Sequence, residues 1–332
     1  MTNDRTNDRT DDGTEQRSEQ RLVYLSGGVG GARLAHGLNR LLAPQQLTCI
    51  VNTGDDFAHW GLQISPDLDT MMYTLADVAD EERGWGLAGE TFAALEWVKR
   101  YGGPSWFGLG DRDLATHLMR TEWLRSGLDL TEVTQRLCSG LGVAARLLPM
   151  TNEPCATMID TPSGTLDFQR WLVAERGLPP VTRVWSRGTD QPSAQVLAAL
   201  DTAQLVIIGP SNPYVSIDPI LALQGVRERL AQRPVLAVSP IVHGRAIKGP
   251  LAGMLETLGA HGQRSASARS VAQHYGALLD VCVVERGDER EFAHDLERPK
   301  VFAADTWMRT RADSRSLAQS VLTLATELGY WA

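Results

Sequence analysis

A glycine-rich turn between an apolar strand and a helix constrains the fold of this chain most. Residues 21–25 are typical of a short buried strand, and residues 26–31, Ser-Gly-Gly-Val-Gly-Gly, run directly into an apolar-periodic stretch over 32–42. A second strand is predicted at 47–51. Because strands joined by a crossover helix run parallel, the start of the chain is predicted to be a βαβ unit.

Strand and helix patterns alternate again towards the C-terminus. Residues 66–140 carry apolar positions three or four apart, which indicates a helical insertion. Closely spaced strand-like runs at 143–148, 157–160, 166–171 and 181–185 favour a partly antiparallel segment, and strands are predicted at 205–208, 235–238 and 281–284. We therefore predict an α/β fold with a doubly wound, mostly parallel Rossmann-like sheet and a helical insertion after the second strand. It forms one domain over 21–332, preceded by a polar, disordered tail at 1–20.

Composition excludes several classes of protein. No apolar run is long enough to span a membrane, and the N-terminus has no secretory pattern, so we expect a cytoplasmic protein with no membrane partner. The net charge of -8 argues against nucleic-acid binding but leaves room for a small phosphate ligand held locally. The four cysteines are widely spaced, which favours buried thiols over disulfides or zinc ligands.

The glycine turn itself predicts a phosphate site. Glycines at a strand-to-helix junction allow a ligand close to the backbone, and the amides at the helix start point at an anion. The spacing fits Gly28-x-Gly30, but Arg33 stands where the dinucleotide fingerprint requires glycine or alanine, and no Gly-Lys-Ser/Thr follows. The turn therefore matches neither standard nucleotide motif, and a purely structural role is the alternative.

Two acidic motifs follow. Asn-Thr-Gly-Asp-Asp at 52–56 ends the second predicted strand, where open α/β sheets bind ligands, so Asp55 is a candidate metal ligand. Pro-Asp-Leu-Asp-Thr at 66–70 opens the next helix, where Asp67 and Asp69 are either metal ligands or ordinary helix-start acids. A Mg²⁺ ion here would neutralise a diphosphate, whereas Asp55 or Asp56 could instead accept a proton as the catalytic base.

Three further segments are candidate binding elements. Ser211 and Asn212 follow the predicted strand at 205–208, and Lys248 lies in a cationic loop after the strand at 235–238. Trp106 belongs to an aromatic and glycine-rich stretch suited to a flat ring. Each segment has a structural alternative. Ser211 and Asn212 could simply form a turn, Lys248 could lie in a solvated surface loop, and Trp106 could pack a domain junction. His117 is interpreted as a packing residue.

Taken in order, these motifs resemble the 2-phospho-L-lactate transferase family, from about Leu22 to the C-terminal region. The similarity rests on residues 27–31, 52–56, 66–70, 107–114 and 209–213, with Ser-Pro-Ile at 239–241 and Lys-Gly-Pro at 248–250. Only the N-terminal tail lies outside it.

The resemblance implies Mg²⁺-dependent transfer of a phosphorylated three-carbon acid from a guanosine diphosphate-type donor to the ribityl hydroxyl of the deazaflavin FO, with release of GMP. The acid is phospholactate, phosphoenolpyruvate or phosphoglycerate, and the partners are these small molecules and a second copy of the chain. The predicted substrate-binding residues are Gly28, Gly30, Gly31, Asn52, Trp106, Arg112, Ser211, Asn212 and Lys248. Asp55 and Asp56 are the predicted catalytic residues, and Asp55, Asp67 and Asp69 the predicted metal ligands.

Two other classes compete with this prediction. A nucleotide-sugar-binding regulatory protein of a related family would share the core, but the motifs at 66–70 and 110–114 favour the transferase. An NAD-dependent oxidoreductase would need an acidic residue to bind the ribose at the end of the second strand, where this chain has Val51 and Asn52.

Overall fold

The structure, a computed structural model, describes residues 20–259, 264–292 and 299–332. The tail predicted at 1–20 lies outside the described residues except for Gln20. The strands are β1 Leu22–Ser26, β2 Leu47–Val51, β3 Phe57–His59, β4 Leu62–Ile64, β5 Arg146–Pro149, β6 Cys155–Thr161, β7 Gly164–Asp167, β8 Arg183–Gly188, β9 Leu205–Ile208, β10 Val235–Val238, β11 Ile241–Val242, β12 Arg245–Ala246, β13 Val281–Glu285 and β14 Lys300–Ala304. The α-helices are α1 Val29–Asn39, α2 Pro66–Leu75, α3 Ala93–Arg100, α4 Asp111–Arg125, α5 Leu130–Gly140, α6 Ala194–Thr202, α7 Asp218–Leu221, α8 Val226–Leu230, α9 Leu251–Leu258, α10 Ala268–Tyr275 and α11 Arg311–Glu327.

A seven-stranded sheet forms the centre of the molecule, in the order β14-β13-β10-β9-β1-β2-β5. Every neighbouring pair in it is parallel. Successive side chains of β1 point to opposite faces, so Leu22 and Tyr24 enter one core and Val23 and Leu25 enter the other. Helices α1 and α11 pack together on the first of these faces. The predicted doubly wound α/β fold is confirmed.

The direction in which successive strands are added to the sheet reverses at β1. After β1 the chain adds β2 and β5 on one side, and it then returns to place β9, β10, β13 and β14 on the other. The connections that leave β1 and β9 therefore diverge, which opens a crevice at the carboxyl ends of these two strands. The glycine turn follows β1 and the Gly-Pro-Ser-Asn-Pro turn follows β9, so both motifs lie at this crevice.

The insertion contains α2, α3, α4 and α5, as predicted, and the later strands form an antiparallel sheet in the order β7-β6-β8. One predicted strand, at 166–171, is wrong in extent. β7 ends at Asp167, and residues 170–174 form a π-helical turn. That turn buries Trp171 against Phe168 in a separate small core, an arrangement that a continued strand would not allow.

Several short strands have no counterpart in the sequence prediction: the hairpins β3–β4 and β11–β12, and the edge strand β14. Each of the four cysteines is buried and unpaired, as expected. Within the described ranges, no helix combines the length and apolar character needed to cross a membrane.

Candidate active site

A cleft of about 740 Å³ lies at the carboxyl edge of the central sheet. Turns that follow β1, β2, β9, β10 and β14 line it, the helical insertion contributes Trp85 and Trp106, and the segment after β7 contributes Phe168 and Gln169. The predicted site residues that line the cleft are Gly28, Gly30, Asp55, Asp67, Trp106, Ser211, Asn212 and Lys248.

The glycine turn brings α1 against the turn that follows β9. A Cβ on Gly30 would lie 2.5 Å from the carbonyl oxygen of Pro210, and one on Gly31 would lie 1.8 Å from Ser26 Oγ. Ser211 Oγ accepts a hydrogen bond from the Gly27 N–H at 3.1 Å. Glycine is required here because two backbones touch, and the contact holds the first amides of α1 at the cleft.

Two carboxylates from different elements meet at the bottom of the cleft. Asp55 follows β2, and Asp67 lies in the first turn of α2. The side-chain nitrogen of Asn52 donates to Asp55 Oδ1 at 3.1 Å and to Asp67 Oδ2 at 2.9 Å. Gln169 donates to Asp55 Oδ2 at 3.3 Å, and the Gly28 N–H donates to Asp67. Amides therefore hold both carboxylates in place.

Neither carboxylate forms an ion pair within the part of the chain that the structure describes. Burial, reinforced by the neighbouring Asp67, raises the pKa of Asp55 well above its usual range. Burial likewise raises the pKa of Asp67 to about 6, against hydrogen bonds from Asn52 and Gly28 that lower it. Two buried carboxylates that line a cleft and are not ion-paired are the donor set that a hard divalent cation prefers, so the residues fit a Mg²⁺ ion.

Asp56 and Asp69, by contrast, do not line the cleft. Asp56 accepts a hydrogen bond from Ser65 Oγ at 2.7 Å, and burial raises its pKa. Asp69 forms a two-point ion pair with Arg120, which is 1% exposed. Burial would lower the pKa of Arg120, but the Asp69 carboxylate outweighs this and raises it. The carboxylate of Asp69 is thus paired with a buried guanidinium away from the cleft. Asp69 also lies with Asp113 and His117 in a buried group whose possible ligand atoms are within 4.8 Å of one another, so its predicted role as a metal ligand stays a prediction.

The Gly-Asp-Arg-Asp motif at 110–113 has a capping role in the structure. Asp111 accepts hydrogen bonds from the N–H groups of Ala93 and Ala94, both at 2.9 Å, at the start of α3. In return, Glu90 accepts from the N–H groups of Arg112 and Asp113 at the start of α4. The Arg112 side chain donates to the Ala88 carbonyl oxygen, outside the cleft. This motif therefore orders the insertion, and the position of Arg112 gives no support to substrate binding.

An aromatic cluster forms one wall of the cleft. Trp106 and Phe107 pack with Phe57 and His59, with ring centroids 4.9 to 5.9 Å apart. The β3–β4 hairpin supplies Phe57 and His59, and its tight turn places Trp60 and Gly61 at positive φ. The predicted aromatic stretch therefore reaches the cleft.

Two cationic side chains also line the cleft. Lys248 Nζ donates to the Gly84 carbonyl oxygen at 3.3 Å, across the opening between two loops. Burial, with the nearby Arg33, lowers the pKa of Lys248. In the sequence, Arg33 stands out only as a departure from the dinucleotide fingerprint, and no local pattern predicts that it binds a ligand.

Other lining residues were missed because no local pattern marks them. Gln169 lies 114 residues from the carboxylate it contacts, and Trp307 follows the unpredicted strand β14. Trp85 is 43% exposed and Trp307 47% exposed, which is unusual for tryptophan and is a signal that only a structure supplies. Gly31 and Asn52 lie behind the lining residues.

Fold and site together define an α/β protein with a cleft at a topological switch point, where the start of α1 and a buried carboxylate pair line the same cavity. The family model for "2-phospho-L-lactate transferase CofD" matches residues 22–322. The chain therefore belongs to the 2-phospho-L-lactate transferase family and is an enzyme of that family, which confirms the resemblance inferred from its motifs.

Relatives span nearly the whole chain. It is 40% identical to a phosphoenolpyruvate transferase of Thermobifida fusca, covering 93% of this chain and 98% of the relative. It is 39% identical to a 2-phospho-L-lactate transferase of Methanosarcina acetivorans, covering 91% and 98%. A crystal structure of a UPF0052 family protein from Bacillus halodurans aligns with a TM-score of 0.61 at 14% identity, covering 91% and 98%. At that identity the structural likeness supports the fold alone.

Proposed function

We propose that this enzyme transfers a phosphorylated three-carbon acid from a guanosine diphosphate-type donor to the ribityl hydroxyl of FO, with release of GMP, in the biosynthesis of coenzyme F420. The acid is phospholactate, phosphoenolpyruvate or phosphoglycerate. Relatives named as phosphoenolpyruvate transferase and as 2-phospho-L-lactate transferase have nearly the same identity to the chain, so identity does not choose among these acids.

One observation carries the proposal: a buried carboxylate pair lies in the same cleft as the amides at the start of α1. Diphosphate donors carry several negative charges, which helix amides and a divalent cation can hold together. A protein that only bound a neutral ligand would have no use for Asp55 and Asp67, whose burial without a cationic partner costs stability.

Residues on the glycine side of the cleft bind the donor. Val29 and Gly30, the first residues of α1, line the cleft, and because N–H groups at a helix start have no partner within the helix, theirs are suited to phosphate oxygens. Lys248 and Arg33 add positive charge from the neighbouring wall. Ser211 and Asn212 lie on the same side and orient the guanosine part of the donor.

Residues on the aromatic side bind the acceptor. A deazaflavin ring is flat and apolar on both faces, and Trp106 with Phe107 offers a wall of matching character. With the ring stacked on this wall, the ribityl chain of FO would extend towards the carboxylates. Asp55 lines the cleft and carries a raised pKa, as a group that accepts the hydroxyl proton would.

In the proposed reaction, the FO hydroxyl oxygen forms a bond to the phosphorus that bears the acid, and the bond from that phosphorus to the GMP oxygen breaks. The hydroxyl proton passes to a carboxylate or to water, and GMP leaves with the electron pair of the broken bond. Asp55 and Asp67 would hold the Mg²⁺ ion, which would neutralise charge on the departing phosphate. Since no Ser or Cys of the cleft is paired with a base, a covalent enzyme intermediate is not expected.

The test is incubation of the purified enzyme with FO, Mg²⁺ and each guanosine conjugate in turn, followed by mass spectrometry of the deazaflavin. We expect one conjugate to give a product that retains its acid and one phosphate, and we expect Asp55→Asn to abolish it. If no conjugate reacts, or if Asp55→Asn retains full activity with ordinary Mg²⁺ dependence, the proposal is wrong. Tight UDP-sugar binding in that case would favour the regulatory class of protein.

Cytoplasmic location and homodimer formation stay predictions. Fractionation of cells and analytical ultracentrifugation of the purified chain would test them.

A further inference from the structure

Asn52 has an unusual set of contacts for a residue beside a ligand cleft. Asn52 is 0% exposed, and its side-chain amide is hydrogen-bonded through both its nitrogen and its oxygen. The amide nitrogen contacts Asp55 Oδ1, Asp67 Oδ2 and, at 3.3 Å, the Val215 carbonyl oxygen. The amide oxygen accepts a hydrogen bond from the Gly54 N–H at 2.8 Å.

The Gly54 contact sets the orientation of the amide. Since the oxygen is occupied by a backbone donor, the nitrogen must face the carboxylates. Gly54 cannot be larger, because a Cβ there would lie 2.4 Å from Thr157 Oγ1 and 3.0 Å from Asn52 Oδ1. The backbone after β2 is thus shaped to hold the amide in one orientation.

The two carboxylates would repel each other without such a bridge. They come from separate elements, the turn after β2 and the start of α2, and both are buried. Because both hydrogen bonds end on the same nitrogen, Asp55 Oδ1 and Asp67 Oδ2 are kept close together. Mg²⁺ requires its ligand oxygens in near-ideal octahedral positions, at Mg–O distances of about 2.1 Å, so it depends strongly on carboxylates that are held in place.

We propose that Asn52 is a positioning residue that presets Asp55 and Asp67 for a hard divalent cation, in place of the substrate-binding role assigned to it from the sequence. The inference rests on the cation site of the proposed function. Asn52 touches neither substrate nor cation in this role. It acts through the two carboxylates, as the hydrogen-bonding partners of metal ligands do.

The test measures cation binding in the absence of substrates. The variant Asn52→Ser keeps an acceptor for the Gly54 N–H but cannot reach both carboxylates. Titration calorimetry of the cation-free protein with MgCl₂ should show affinity reduced by about 10- to 100-fold. Ca²⁺, which accepts irregular geometry and more ligands, should lose less affinity than Mg²⁺, which requires near-ideal octahedral positions.

The matched control is Asn152→Ser. The Asn152 side chain accepts hydrogen bonds from Thr131 N at 3.0 Å and Thr131 Oγ1 at 2.7 Å at the start of α5, outside the cleft. This variant should be less stable than the parent but should bind both cations unchanged. If Asn52→Ser does not fold, Asn52→Gln, which moves the amide by one methylene, is titrated in the same way with the same expectation.

Unchanged Mg²⁺ affinity in the Asn52 variant would overturn the positioning role, and so would an equal loss for Mg²⁺ and Ca²⁺, since a general weakening of the fold affects both alike. If the unmodified protein bound neither cation, the cation site itself would be wrong. That result is distinct from the first two, in which the parent binds Mg²⁺ normally.

Discussion

Two aspartates in the first turn of α2, Asp67 and Asp69, should respond in opposite directions to the same substitution. Asp67 is buried without a cationic partner, whereas Asp69 is paired with the buried Arg120. Replacement of each by asparagine removes one negative charge and changes the volume little. The sign of the change in unfolding free energy then reports what each charge does in the folded protein.

The magnitude for Asp67 follows from its pKa, which burial raises from 3.8 to about 6. Each pKa unit corresponds to about 1.4 kcal/mol, so the ionised carboxylate costs the folded protein roughly 3 kcal/mol at pH 7. Asparagine avoids that cost but accepts only one of the two hydrogen bonds from Asn52 and Gly28, a loss of about 1 kcal/mol. We expect Asp67→Asn to stabilise the cation-free protein at pH 7 by about 2 kcal/mol.

Asp69→Asn should have the reverse effect. Arg120 is 1% exposed, and it would keep its charge with no carboxylate to balance it. Removal of one partner of a buried ion pair costs about 3–5 kcal/mol. Urea unfolding at pH 7 in EDTA, followed by circular dichroism, measures both variants against the parent protein.

Activity separates the two variants further. Asp67→Asn should be stable and inactive, because it lacks one of the two proposed cation ligands. Addition of Mg²⁺ should stabilise the parent protein but not this variant. If Asp67→Asn destabilises the cation-free protein as much as Asp69→Asn does, then the Asp67 charge is compensated in the fold, and the reasoning about its burial is wrong.

The remaining predictions concern the pH, the glycine turn and the aromatic wall. Because the folded pKa of Asp67 lies above its unfolded value, the folded state binds more protons between about pH 4 and 6, so cation-free stability should fall as pH rises through this range. Protons should also compete with Mg²⁺, so that half-saturating Mg²⁺ rises as pH falls below 6; an Mg²⁺ requirement independent of pH would contradict this. Gly30→Ala should weaken guanosine nucleotide binding by about 5- to 150-fold, which corresponds to the cost of about 1–3 kcal/mol for overpacking against Pro210. Gly253→Ala, with open space around its Cβ, should bind normally. Trp106→Ala should raise KM for FO and leave KM for the donor unchanged. Trp97→Ala, at an exposed position on α3, is the control and should change neither KM. Equal effects of Trp106→Ala on both KM values would refute the role of the aromatic wall in acceptor binding.

The framework of the site was predictable because it depends on local pattern. An apolar strand followed by glycines, and a second strand followed by adjacent aspartates, place Gly28 and Asp55 at the same sheet edge by the geometry of parallel strands. The same rule located Ser211 after β9. In each case the relevant residues are close in sequence to the strand that positions them.

The partners of the acidic residues were not predictable in this way. Arg120 lies 51 residues from Asp69, and no pattern on α4 distinguishes it from other arginines of the insertion. As a result Asp67 and Asp69, which look equivalent in the sequence, have different partners in the structure. β14 was also missed, since a five-residue edge strand with only partial burial leaves a weak apolar signal.

The distribution of charge around α2 explains why the protein keeps a buried carboxylate pair that lowers the stability of its cation-free fold. Arginine is abundant in this chain, and one is placed against Asp69, yet Asp55 and Asp67 receive hydrogen bonds from the neutral side chains of Asn52 and Gln169. An arginine at that point would stabilise the cation-free protein, but its guanidinium would occupy the space between the carboxylates and compete with a divalent ion. Neutral amides hold the oxygens in place and leave their charge available. Stability lost at Asp55 and Asp67 is therefore recoverable by cation binding, whereas the charge of Asp69 is neutralised permanently by Arg120.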